Sequence, residues 1–147
     1  VSDSSLAIDA WESLFRAQVS VLRQLHGEFP TEKISFNEYD VLFNLSRQPG
    51  RQARIRDLNH LLLLTQPSIS RLVDRLTAKG YVRKSGDPGD GRGTIVSLTA
   101  EGFALFREVA LVHGRSISAR VGGCLTAEEL RELTTLTGKL RAGEAQD

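Results

Sequence analysis

The sequence predicts a mainly α-helical fold with a small β-hairpin, and three patterns predict it. Apolar residues recur about every 3.6 positions in long segments at both ends of the chain. Two shorter helical segments meet at a tight turn near the centre. Directly after them, two β-prone segments flank a glycine-rich tip.

The first helix is expected over Leu6–Phe29, with Leu6, Ala7, Ala10, Trp11, Leu14, Phe15, Val19, Leu22 and Leu25 on one stripe and Pro30 as its stop. The second opens at Ser35. Glu38 three residues on completes a capping box, in which hydroxyl and carboxylate satisfy orphan backbone donors reciprocally. Val41, Leu42 and Leu45 form its stripe, and Pro49-Gly50 ends it. Ile55–Leu62 reads as a short helix that starts at Arg54 or Ile55 without a capping side chain.

The next helix is expected to have Thr65 as N-cap and Pro67 in its first turn, and to run to Lys79 with Gly80 just past its end. Ile69, Leu72, Val73 and Leu76 give it an apolar face. Pro67, Arg71, Asp74 and Arg75 lie opposite, with Ser68 and Ser70 at the margins. Two short helices joined this way make a helix-turn-helix. Tyr81–Ser85 and Thr94–Leu98 then form a hairpin, a wing, with Asp87–Gly93 as its tip. Thr99 opens a helix carrying Leu105, Phe106, Val109, Val112 and Ile117. Thr126 with Glu129 caps a last one carrying Leu130, Leu133, Leu136 and Leu140.

Composition narrows the function. The 147 residues fit one domain or two small lobes sharing a core, and 40% apolar with 25% charged residues excludes disorder. No apolar run exceeds that of Leu61–Leu64, far too short to span a bilayer. Val1–Asp9 lacks the basic-then-apolar pattern of a signal peptide, and Val1 in place of Met points to a missing or processed start. The expected setting is cytoplasmic. The single Cys124 excludes a disulfide framework, and His26, His60 and His113 lack metal-ligand spacing. With no catalytic triad, phosphate loop or dinucleotide fingerprint, no enzyme activity, metal or cofactor is expected.

Charge is uneven. Net charge is +1, but Arg47–Thr99 holds ten basic and four acidic residues, or +6, leaving nine and fourteen, or −5, outside it. A basic module between acidic flanks is the pattern of a nucleic-acid face on a non-binding scaffold. The residues expected to meet DNA are Arg54, Gln66, Ser68, Ser70, Arg71, Arg75, Lys84 and Arg92. Arg71 is placed for major-groove bases or phosphates, and Arg92 on the thin tip for the narrow, electronegative minor groove. Asp90 is expected to orient Arg92 by a carboxylate–guanidinium contact. The competing readings are an ordinary solvated helix face and a self-contained turn ion pair.

The run LNHLLLLTQPSISRLVDRL (Leu58–Leu76), the Ala78–Val82 junction and DPGDGRGTIVSLTAEG (Asp87–Gly102) resemble the MarR family of bacterial transcription regulators. The most specific piece is acid-x-Arg followed by a strand and Leu-Thr-x-x-Gly. The resemblance implies a homodimer with interlocking terminal helices, a pseudo-palindromic duplex DNA site, and release by a small aromatic or phenolic effector. Leu63 and Asn59 depart from the usual Gly and Ala, and Gly91 and Gly93 make a looser tip.

The winged helix-turn-helix is therefore assigned to 34–99 and a helical dimerisation region to 1–33 with 100–147. The terminal apolar stripes, including Leu6, Leu14, Leu130 and Leu133, have little to pack on in a monomer of this size. Trp11, Tyr39 and Asp40 are candidates to line a ligand cavity, although Trp11 sits on an apolar stripe and reads as core. Cys124 reads as structural. Two alternatives stand beside the dimeric regulator: a winged-helix protein-interaction module that does not bind DNA, and a redox-responsive regulator acting through Cys124.

Overall fold

The computed structural model describes residues 3–64 and 68–144. Among the described residues, six α-helices and three strands follow in order: α1 Asp3–Glu28, α2 Phe36–Ser46, β1 Gln52–Arg54, α3 Ile55–Leu61, α4 Ile69–Ala78, β2 Val82–Asp87, β3 Asp90–Leu98, α5 Ala100–Ile117 and α6 Ala127–Glu144. None of the described helices is long and apolar enough to cross a membrane. Two compact units emerge, Phe29–Val112 and Val1–Glu28 with His113–Asp147. Compared with the bounds expected from sequence, residues 29–33 and 100–112 fall with the central unit.

The central unit is built on the helices whose stripes the sequence displays. Val41, Leu42 and Leu45 of α2, Leu58 of α3, and Leu72, Val73 and Leu76 of α4 are buried with Val82 and Val96 of the sheet. Each such side chain contributes about 1.5–3 kcal/mol when removed from water. Ser35 and Glu38 form the expected capping box on α2: the Glu38 amide donates to Ser35 Oγ at 3.1 Å, and the Ser35 amide donates to Glu38 Oε1 at 3.0 Å. Glu38 has a second use. It is buried, and Lys79 Nζ at the end of α4 donates to its two oxygens at 3.1 and 3.3 Å, joining the start of α2 to the end of α4.

Gly80 ends α4 as expected. Its φ of 80° is left-handed, which only glycine adopts without strain. The Tyr81 amide then reaches Leu76 O and the Gly80 amide reaches Thr77 O, both at 3.0 Å, closing a Schellman motif. Thr99 fixes the far side of this junction. Its hydroxyl donates to Gly80 O at 2.7 Å and accepts from the Gly102 amide at 3.0 Å. Gly102 packs its backbone against the Tyr81 carbonyl, where a Cβ would lie 2.8 Å from the carbonyl carbon. That contact is the physical content of the Leu-Thr-x-x-Gly motif.

Two expectations about the elements need correction. The hairpin is the larger part of a three-stranded antiparallel sheet of order β1-β3-β2, with Ala53 paired to Val96. The three residues of β1 are too few for alternation to register in sequence. The wing tip is also tighter than expected. Asp87 pairs with Asp90 across Pro88-Gly89, so Gly91, Arg92 and Gly93 belong to β3, opposite an irregular step between Gly86 and Asp87.

The second unit pairs α1 with the chain around α6. Thr126 and Glu129 form the expected capping box. Arg120 Nε donates to Glu28 Oε1 at 2.8 Å, linking the π-helical turn Ser118–Gly122 to the end of α1. Trp11, expected in the core, is 62% exposed instead, because no neighbour in the described chain covers that side of α1. Leu6, Phe15, Leu133, Leu136 and Leu140 are exposed as well, while Leu14 and Leu130 are half-buried.

Candidate nucleic-acid interface

The face of α4 opposite its buried stripe carries Ser70, Arg71, Asp74 and Arg75, all exposed. Arg71 and Arg75 make no ion pair among the described residues. The N-cap of α4 is Ser68, not Thr65. Ser68 is extended (φ −157°, ψ 115°), and its hydroxyl accepts the Arg71 amide at 3.3 Å. A serine three residues ahead of that amide satisfies an orphan donor of the first turn. The Ser68 hydroxyl thus serves the helix end, and Ser70 is the hydroxyl left outward. Thr65, Gln66 and Pro67 lie outside the described residues, so the expectation for Gln66 is not placed.

The turn ahead of α4 is held from α2. Asp40 is buried, and its Oδ2 accepts the amides of Leu63 and Leu64 at 2.8 Å each. Asn44 Nδ2 donates to Asp40 Oδ1 at 2.9 Å and to Asp40 O at 2.8 Å. Burial pushes the Asp40 carboxyl above its ordinary value, and the three donors oppose that shift. Asp40 is thus committed to the turn rather than offered to a cavity. Tyr39 beside it stacks on Phe106 at 5.6 Å, and its hydroxyl is pushed up by burial.

In the wing, Arg92 is exposed and makes no ion pair among the described residues. The expected contact from Asp90 to its guanidinium does not form. Asp90 Oδ1 instead accepts the Arg92 backbone amide at 3.1 Å, and Oδ2 lies 3.9 Å from Arg56. A side chain two residues back reaches that amide more readily than it reaches the end of a long side chain.

Arg54 differs more from expectation. Its Nε lies 2.7 Å from Asp87 Oδ2, and the Asp87 side chain is only 4% exposed. Asp87 Oδ1 accepts the Gly89 amide at 2.9 Å. Arg54 therefore braces the wing turn from β1. Lys84 is 2.6 Å from Asp74 on α4, a pair exposed on both sides and cheap to open. Sequence reasoning missed Asp40, Glu38–Lys79 and Arg54–Asp87 as structural ties. The signal available was an acid in an otherwise apolar stretch, as at Asp40 within Tyr39–Leu42.

A second group of arginines lies over aromatic rings. Arg47 stands 4.8 Å from the Phe43 ring centre, and Arg51 3.5 Å from that of Phe103. Both are more weakly placed for contact with a partner than the unpaired arginines of α4, since each is already engaged.

Two helices joined by a clamped turn, followed by a three-stranded wing, define a winged helix-turn-helix. Residues 33–93 match the sequence model of the MarR family. Over 129 residues the chain is 28% identical to the HTH-type transcriptional regulator PecS of Dickeya dadantii, covering 87% of this chain and 77% of that protein. The crystal structure of Sco3205, a MarR family transcriptional regulator from Streptomyces coelicolor in complex with DNA, superposes with a TM-score of 0.77 at 25% identity, over 97% of this chain and 89% of that one. The PcaV transcriptional regulator of the same organism, in complex with its natural ligand, gives 0.70 at 26% identity, over 91% and 92%. The chain is thus similar to MarR family regulators, through the match of residues 33–93 and through the solved structures it superposes on.

Proposed function

We propose that the chain is a homodimeric, sequence-specific DNA-binding transcription regulator, a repressor released by a small aromatic or phenolic ligand. The observation that carries the DNA-binding reading is the exposed face of α4. Arg71, Arg75 and Ser70 stand there unpaired among the described residues, on a helix held by a buried clamp, within the basic stretch of the chain. Free guanidiniums on such a helix suit base edges and phosphates of the major groove. Arg92 on the wing suits a narrow minor groove. Sco3205 in complex with DNA supports this reading, and PcaV in complex with its natural ligand supports the effector.

Dimerisation is supported by the second unit. Leu14, Val21, Leu125 and Leu133 line one open apolar groove there, and Trp11, Phe15 and Leu136 add exposed apolar surface. A two-fold that pairs such faces buries them. Footprinting tests the whole reading. Two protected half-sites with centres about 34–36 Å apart are expected, because two-fold-related recognition helices enter successive major grooves. A single asymmetric protected patch refutes it.

A further inference from the structure

We propose that Asp40 is a positioning residue for DNA binding: from α2, its carboxylate sets the turn that leads into α4 and so fixes how α4 meets DNA. This rests on the DNA-binding reading above and adds to it a residue that touches no DNA.

The geometry is specific. One oxygen takes two consecutive amides, Leu63 and Leu64, at 2.8 Å each. The other is held by Asn44, whose second amide hydrogen anchors on the Asp40 carbonyl. The carboxylate cannot rotate without losing a partner. Bonds from backbone amides to an ionised carboxylate are also stronger than neutral ones. Leu63 and Leu64 come just after Leu62, the C-cap of α3, and Ser68 caps α4 four residues after Leu64. The clamp therefore acts at the α3 end of the connection between the two helices. The Leu63 side chain is 75% exposed, so the turn is not held there by its own apolar burial.

Burial opposes the charge of this carboxylate, and the amides offset only part of that opposition. A buried carboxyl held by three donors keeps one geometry, because any other orientation leaves polar atoms unpartnered. Base readout needs such a fix, since contact residues must be held within about 0.5 Å of productive geometry.

The test uses the full chain, as wild type, Asp40→Ala and Asp40→Asn. The duplex probe is the DNA directly upstream of the chain's own coding sequence. In the DNA-free Asp40→Ala protein, the Leu63 and Leu64 amides should exchange about tenfold faster or more, with Leu72 and Val73 unchanged. Its affinity for the duplex should fall about tenfold. The salt slope should stay that of wild type, because no cation facing phosphate has been removed. Asp40→Asn should recover part of both losses, since its amide oxygen still accepts. If Asp40→Ala does not fold, Asp40→Asn carries the same three measurements, with smaller losses expected.

Wild-type affinity in Asp40→Ala overturns the proposal and leaves the DNA-binding reading intact. So does a loss of protection that spreads to Leu72 and Val73, which marks a general structural role. A changed salt slope overturns it as well. A wild-type protein that shifts the duplex at no salt concentration overturns both.

Discussion

Replacing Arg54 by alanine separates a DNA contact from a structural brace. Asp87 is 4% exposed at its side chain, and its charge faces the Arg54 guanidinium at 2.7 Å. Removing a partner from a fully buried pair costs about 3–5 kcal/mol, because a buried charge is left alone. Arg54 is itself 43% exposed, so water reaches part of the pair and the cost falls to about 1–3 kcal/mol. The Gly89 amide still holds the other oxygen, which keeps the loss at the lower end. The assay is a double-mutant cycle of Arg54→Ala and Asp87→Asn, read by urea unfolding. The expected coupling is about 1–3 kcal/mol. The same variants are then titrated with DNA at several salt concentrations. A brace leaves the salt slope unchanged, whereas a phosphate contact lowers it by about 0.9. No coupling together with a reduced slope would refute the brace and restore Arg54 to the contact surface.

Three further outcomes are expected. Gly102→Ala forces a Cβ into the Tyr81 carbonyl, which is itself held by the Thr99 amide at 3.1 Å, and should cost about 3 kcal/mol by thermal unfolding. An unchanged Tm would show that the junction yields. Asp40 has a raised folded-state pKa, so the native state binds more protons than the unfolded chain above the ordinary value of about 3.9. Its contribution to stability is then fully present below that value and lost as pH rises through the folded pKa. Wild-type stability relative to Asp40→Asn should fall over that window, and a rise would reverse the sign of the argument. Trp11→Glu places a charge in the exposed apolar stripe of α1 and should shift sedimentation towards a single chain. An unchanged wild-type dimer would place the interface elsewhere.

Local features were the ones legible in the sequence. Ser35 with Glu38, Thr126 with Glu129 and Gly80 each act within a few residues, so their spacing carries the information. The buried stripe of α4 was legible for the same reason, because period and burial coincide on one helix. What could not be read depends on contacts distant in sequence. The pairing of β1 with β3 spans more than forty residues, and three residues hold no alternation to betray it. Arg54 and Lys84 carry the charge a DNA contact needs, and only the fold brings Asp87 and Asp74 beside them. Asp40 appeared as a polar residue near a cavity. Its partners are backbone amides more than twenty residues away, which no side-chain pattern encodes. Trp11 followed the opposite course: its stripe was legible, but a stripe does not say whether the same chain or another copy covers it.

In the proposed regulator, α4 reads DNA with the arginines left free on its exposed face. The most direct measurement is a binding series of wild type and Arg71→Ala on a randomised duplex library, at two salt concentrations. Wild type should select a two-fold-symmetric pair of half-sites. Arg71→Ala should lose discrimination at one position in each, by about 1–3 kcal/mol. An identical sequence preference in both proteins, or no selection by wild type at either salt concentration, would contradict the account.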